Sequence, residues 1–200
     1  MWDRIQAWTK TPQGRDQLLT YLAEGGVLVG IVLVYRLAAH LLPEDGFDVY
    51  AVVRRTVTFL HLLVLMGMAV AVVRFVAMST SAEERVGMLR TAFRTVTLAG
   101  GVFVTILWAF KGPVSLLFFG TTERMDLIPP IAMLIVGLVL HALIYSYWRG
   151  MQRMVRANVI QFIDLALVPN VAMWIGPGLI DVLWITAAMW CTIPLLGLFP

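Results

Sequence analysis

Six runs of apolar residues divide the chain, and short polar segments separate them. They cover roughly residues 18–42, 56–78, 88–110, 127–148, 154–175 and 179–199. A helix needs about 20 apolar residues to cross a bilayer, whereas a membrane strand needs about 10 with strict alternation. The run length therefore predicts an all-α integral membrane protein with six transmembrane helices. Residues 1–17 are polar and read as a juxtamembrane segment. Within it, Trp2, Ile5 and Trp8 recur every three residues, which suggests a short interfacial helix, with a frayed terminus as the alternative.

Breaks in the pattern set the boundaries. Gly26 and Gly30 form a GxxxG in the first run, a spacing that admits a close neighbouring helix. Pro43-Glu44-Asp45-Gly46 carries turn chemistry after it. Ser79 to Gly87 reads as a short charged loop. Lys111-Gly112-Pro113 interrupts the chain after the third run, and 114–119 is too short to span, so it reads as interfacial. Pro129 and Pro130 fall in a first turn, where proline is tolerated. Pro169 lies inside the fifth run, frees the carbonyl of Leu165 and predicts a kink. Gly176-Pro177-Gly178 makes a tight hairpin before the last run.

Composition sharpens the class. The chain is 60% hydrophobic and 14% charged. Soluble domains are about 45–50% apolar and about 25% charged. Charge distribution then gives orientation. Arg4, Lys10, Arg15, Arg74, Arg85, Arg90, Arg94, Arg149, Arg153 and Arg156 fall on one side, against Arg54, Arg55, Lys111 and Arg124 on the other. Ten against four predicts that both termini are cytoplasmic. These charges sit in short loops and near the ends of spans, so membrane lipid is the expected partner and nucleic acid is not. The single cysteine, Cys191, excludes an intrachain disulfide and supplies no metal or redox motif. No signal-cleavage site follows a short apolar core, so the first run is expected to serve as an uncleaved anchor.

Ionisable groups inside spans are the candidate chemistry. A charge at the bilayer centre costs at least about 2.5 kcal/mol, so such groups normally face a bundle interior or a wet cavity. Arg36 lies within the first run, and Arg54 and Arg55 lie at the mouth of the second. Their guanidinium forks match an anionic headgroup, with snorkelling to the interface as the alternative. Arg149, Arg153 and Arg156 are spaced i, i+4, i+7, which in one helix puts all three on one face. They read as a pyrophosphate-capture stripe or as a topological signal touching anionic lipid. Asn158, Gln161 and Asp164 make a polar stripe on the fifth run. Asp164, and Glu24 on the first run, are candidates for ion coupling, with helix–helix contact as the alternative. His141, Tyr145 and Trp148 form a stripe suited to sugar stacking or to packing, and His61 stands alone. There is no nucleophile motif, phosphate loop or metal-ligand spacing, so no enzyme, cofactor or metal site is expected.

Several segments resemble polysaccharide (O-antigen type) flippases. Arg36-Leu37-Ala38-Ala39-His40-Leu41-Leu42-Pro43-Glu44-Asp45-Gly46 through Tyr50 is similar to that family's close of span one. Gly67 to Ala77, with Arg74-Phe75-Val76-Ala77, resembles its close of span two. Phe118-Phe119-Gly120-Thr121-Thr122-Glu123 resembles its entry to span four, and Arg149-Gly150-Met151-Gln152-Arg153-Met154 its hinge. The motifs occur in the family's order from about Leu18 onward. The resemblance implies one six-helix lobe of a MATE/MOP-type exporter, whose members have two such lobes around a central cavity. It implies a second lobe as partner, in the same polypeptide or another subunit. It also implies a polyprenyl-pyrophosphate-linked oligosaccharide as substrate, for cell-surface polysaccharide biosynthesis. The alternatives are a multidrug or lipid II exporter built on the same lobe, and a non-transporting scaffold of a polysaccharide synthesis complex.

Overall fold

A computed structural model describes residues 11–197, with only the backbone of Pro12 and Gln13. Every regular element among these residues is helical. The proposed interfacial helix at Trp2–Trp8 lies outside the described residues. Helix α1 covers Pro12–Leu41, α2 Gly46–Leu65, α3 Met68–Met78 and α4 Ala82–Ala109. Helix α5 covers Lys111–Phe119, and a 3₁₀ turn, Met125–Leu127, leads into α6, Ile128–Gly150. Then come α7, Met154–Phe162, a π-helical segment, Ile163–Leu167, and α8, Val168–Ile175. Helix α9, Leu179–Leu196, completes the set. Five helices are long and apolar enough to cross a membrane, and α2 with α3 form a bent sixth.

The central helix is α6. It packs along α9 and also against α2, α3, α4 and α7. Its sequence is apolar on nearly every face, the signature of a helix enclosed by others. Ile128, Ile131, Leu134, Ile135 and Leu143 of α6 are buried, together with Leu183 and Trp190 of α9. Helix α1 lies at the other flank, against α7, the π segment and α8. Outward faces carry Leu28, Val32, Leu98 and Trp174, all exposed, as lipid-facing helices require.

The GxxxG acts as its spacing predicts. A Cβ built on Gly26 would meet the Phe162 ring at 2.7 Å, and one on Gly30 would meet Ala166 Cβ at 2.6 Å. Helix α1 can therefore seat its backbone against the end of α7 and the π segment only because these positions lack side chains.

Four boundaries differ from the sequence reading. Helix α1 starts at Pro12, with Thr11 accepting the Gly14 N–H at 3.0 Å, six residues ahead of the apolar run at Leu18. Span two starts ten residues before Thr56, at Gly46, which places Arg54 and Arg55 two turns inside α2 instead of ahead of it. It is also broken, because Met66 and Gly67 are both left-handed and bend the helix by 50°. The charged loop before span three is shorter, since Ser81 and Glu84 form a capping box that starts α4 at Ala82.

Candidate functional site

Two ionisable side chains meet near the middle of two candidate membrane spans. His141 Nδ1 lies 2.6 Å from Asp164 Oδ2, with side chains 6% and 0% exposed. His141 is thirteen residues into α6, and Asp164 is ten residues into the span Met154–Ile175. Helices α6 and α7 are joined by a turn, and Gln152 at its middle has φ 56°. The turn is a Schellman motif: the Gln152 N–H donates to the Arg149 carbonyl and the Arg153 N–H to that of Trp148, both at 2.9 Å. His141 precedes Gln152 by eleven residues and Asp164 follows it by twelve, so an antiparallel return brings them to the same depth. It is the one contact between an acidic and a basic side chain within 4.0 Å among the described residues.

The backbone around Asp164 is opened. Its span passes through a π-helical turn, Ile163–Leu167, and Pro169 follows two residues later. The Val168 N–H donates five residues back, to Ile163. Pro169 has no N–H to continue that register. The Asp164 carbonyl, five residues before Pro169, lies in this opened register and accepts the Trp190 indole N–H at 2.6 Å. The Arg54 guanidinium lies 5.4 Å over the same indole. Asp164 is thus held by His141 through its carboxylate and by Trp190 through its backbone. Its second carboxylate oxygen, Oδ1, is buried without a hydrogen-bond partner.

Polar contacts continue along α1. The Gln161 amide donates to Glu24 at 3.0 Å, and the Asn158 amide donates to the Thr20 hydroxyl at 3.2 Å. The Asn170 amide donates to the carbonyls of Gly30 and Ala166 at 2.9 and 2.7 Å. The Asn158–Gln161–Asp164 stripe therefore divides, its first two members facing α1 and Asp164 facing α6. Gln161 Oε1 and Asn170 Oδ1 are buried acceptors without donors, like Asp164 Oδ1. On the other side of the pair, Tyr145 stacks on His141 with centroids 5.9 Å apart. His61 on α2 lies within electrostatic reach of His141, and its buried Nδ1 has no hydrogen-bond partner.

The six candidate arginines are dispersed. Arg36, Arg55, Arg149 and Arg153 are exposed. Arg149 sits 5.5 Å over Tyr145 and Arg156 4.7 Å over Trp148, while Arg54 takes Trp190. No two of the six share an aromatic or side-chain hydrogen-bond partner among the described residues. The predicted face shared by Arg149, Arg153 and Arg156 does not form, because the turn at Gln152 separates the first from the other two. Cys191 is a free thiol, and no cluster of three metal-ligating side chains occurs among the described residues.

Sequence reasoning named His141 and Asp164 but did not join them, and it missed Trp190. The near-equal distances from the α6–α7 turn, eleven and twelve residues, are the signal that could have paired the first two. Trp190 sits in an apolar run with nothing to mark it. No family model matches this chain, and neither does any curated protein or solved structure.

Proposed function

We propose that this chain is one six-helix lobe of a bacterial inner-membrane flippase that exports a polyprenyl-pyrophosphate-linked oligosaccharide, with both termini cytoplasmic. A second six-helix lobe completes the cavity, and rocking of the lobes gives alternating access. The substrate class rests on the motif resemblance set out above. The polyprenyl chain stays in lipid throughout, since each CH₂ moved into water costs about 0.8 kcal/mol. Basic side chains receive the pyrophosphate with guanidinium forks.

The observation that carries a transport role is the His141–Asp164 pair. An ionisable pair buried at the middle of an apolar bundle is expensive to maintain and marks function by default in membrane proteins. The pair changes net charge when it gains a proton or when a cation joins the vacant Asp164 Oδ1. Such a change alters how well the α6–α7 unit sits in an apolar environment, which couples ion binding to lobe movement. Glu24, bonded to Gln161, is the neighbouring carboxylate on α1 and the second coupling candidate.

The test is translocation of a labelled polyprenyl-pyrophosphate disaccharide in membrane vesicles from cells expressing the protein. Asp164→Asn is expected to reduce the rate at least tenfold and to remove its dependence on the ion gradient. If Asp164→Asn and Glu24→Gln both leave rate and gradient dependence unchanged, coupling at these residues is wrong. If the unmodified protein moves an uncharged polyprenol glycan as fast as the pyrophosphate, the substrate assignment is wrong.

A further inference from the structure

The two ring nitrogens of His141 have different surroundings. Nδ1 lies 2.6 Å from Asp164 Oδ2, a separation that two lone pairs cannot share, so a proton sits between them. With that proton on Nδ1, Nε2 carries a bare lone pair. Nε2 has no hydrogen-bond partner among the described residues, and unlike Asp164 Oδ1 it is not fully enclosed. The carboxylate therefore fixes the tautomer and turns the accepting nitrogen toward the side that remains open.

A second imidazole faces this one. His61 lies on α2, half-buried and within electrostatic reach of His141. Its Nδ1 is enclosed without a partner, which leaves Nε2 as the nitrogen open to exchange. The other titratable groups around the pair are Tyr145, stacked on His141, and Arg54, which lies over the Trp190 indole that binds the Asp164 backbone. Glu24 is turned to Gln161 instead. A guanidinium keeps its proton throughout, and a phenol gives its own up only near pH ~10. Among these neighbours His61 is thus the one that can trade a proton with His141 near neutral pH.

We propose that the coupled ion is a proton, that His141 Nε2 is the atom that takes it, and that His61 exchanges it with His141. This rests on the coupling role given to the pair above and names its ion. The His61 imidazolium releases its Nε2 proton, directly or through water, and becomes neutral. His141 gains that proton at Nε2, keeps the one on Nδ1 and becomes an imidazolium against the Asp164 carboxylate. The pair passes from one net negative charge to none, and a neutralised pair suits an apolar bundle better than a lone charge does. A metal ion fits the site less well. A hard cation takes about six or more oxygen ligands. Here Asp164 Oδ2 is taken by His141, the Asp164 carbonyl is taken by Trp190, and Oδ1 is enclosed. A softer metal takes about three or four protein ligands. No cluster of three metal-ligating side chains occurs among the described residues.

The experiment is nitrogen NMR of isotope-labelled histidines in the purified full chain, held in phosphatidylcholine nanodiscs without substrate and titrated between about pH 8 and 5. The exposed His40 supplies the signal of an ordinary imidazole, and His141→Gln assigns the His141 signals. At the alkaline end His141 is expected to carry its proton on Nδ1 alone. On acidification Nε2 gains a proton while Nδ1 keeps its own. Replacing choline chloride with sodium or magnesium chloride is expected to leave these signals unmoved. Asp164→Asn is expected to weaken proton uptake at Nε2 at least tenfold, because the imidazolium loses its counter-charge. His61→Gln is expected to keep the tautomer and to slow proton exchange at Nε2 at least tenfold. An alkaline His141 protonated on Nε2 alone, or unchanged uptake in Asp164→Asn, overturns the assignment. So do signals that sodium or magnesium shifts in the parent but not in Asp164→Asn. Exchange as fast in His61→Gln as in the parent overturns the relay. The tautomer and salt readings use the unmodified chain, so they decide the matter even if a variant misfolds. None of them involves the lipid-linked glycan, and the flippase reading is decided separately, by translocation.

Discussion

Trp190 donates its indole N–H to the backbone carbonyl of Asp164 at 2.6 Å, across the interface between α9 and the π segment. The carbonyl is available because the π register and Pro169 together leave it without a backbone donor. A local defect in one helix is thus satisfied by a side chain from another. The residue at that defect is also the one whose carboxylate meets His141.

Trp190→Phe keeps a ring beneath Arg54 but removes the donor. A buried carbonyl left unpaired costs about 1–3 kcal/mol. The variant is expected to unfold at a lower temperature and to exchange amide protons faster across 163–168. Trp184→Phe on the same helix, 43% exposed, is expected to change stability by less than about 0.5 kcal/mol. Equal effects from the two substitutions would mean that the indole–carbonyl bond contributes nothing.

The His141–Asp164 pair predicts a non-additive mutant cycle. His141→Phe leaves a buried carboxylate without its partner, and breaking a buried pair from one side costs about 3–5 kcal/mol. Asp164→Asn alone is milder, because an amide can still accept from the imidazole. Combined with His141→Phe, it removes the stranded charge and is expected to recover part of the loss. A coupling energy of about 0.5–3 kcal/mol should result. Losses that simply add would show that the two groups do not sense each other. High salt should change the result little, since a pair this enclosed is poorly screened.

How much of this was legible in the sequence depends on whether the signal was local. The six apolar runs gave the helices, because each run must by itself satisfy the length of a bilayer. The GxxxG at Gly26 and Gly30 gave a real close contact, because small residues leave a visible pattern. The hinge at 149–154 was legible as a gap between two runs, but its left-handed residue is Gln152, not a glycine, so the arginine face was read straight across it. Gly150 instead admits Val76, whose Cβ would lie 2.8 Å from a Cβ added there. The break at Met66 and Gly67 was hidden because it falls inside an uninterrupted apolar run. The capping box at Ser81 and Glu84 was present in the sequence and was read only as loop charge. The division of the polar stripe on the fifth span follows from packing against two different helices, which no single run encodes.

The contact between α1 and the π segment can be tested with two glycines five residues apart. Gly30→Ala places a methyl 2.6 Å from Ala166 Cβ and 2.7 Å from its Cα. Backbone cannot yield as a side-chain tip can, so α1 must shift, at a cost of about 1–3 kcal/mol. Gly25→Ala meets nothing within 4 Å and should stabilise α1 by up to about 1 kcal/mol through helix propensity. Opposite signs in thermal unfolding are the expected outcome. A Gly30→Ala variant as stable as the parent would mean that α1 does not seat against Ala166.

The break in span two makes a prediction of unusual sign. Met66 is a non-glycine residue with φ 48°, a conformation that costs an L-residue about 1–2 kcal/mol. Its side chain is 69% exposed, so little packing is lost on removing it. Met66→Gly relieves the strain and gives back about 0.5–1 kcal/mol through the added freedom of the unfolded chain. The net expectation is a gain of roughly 0.5–1 kcal/mol, where glycine inside a membrane-length helix would normally destabilise. Leu63→Gly, three residues earlier and still helical, is the control and should lose stability by about 1 kcal/mol from propensity alone. If both substitutions destabilise equally, the chain at Met66 is helical and span two is a continuous rod. In that case α3 could not leave the line of α2, and Val76 would not reach the close contact it makes with Gly150 of α6.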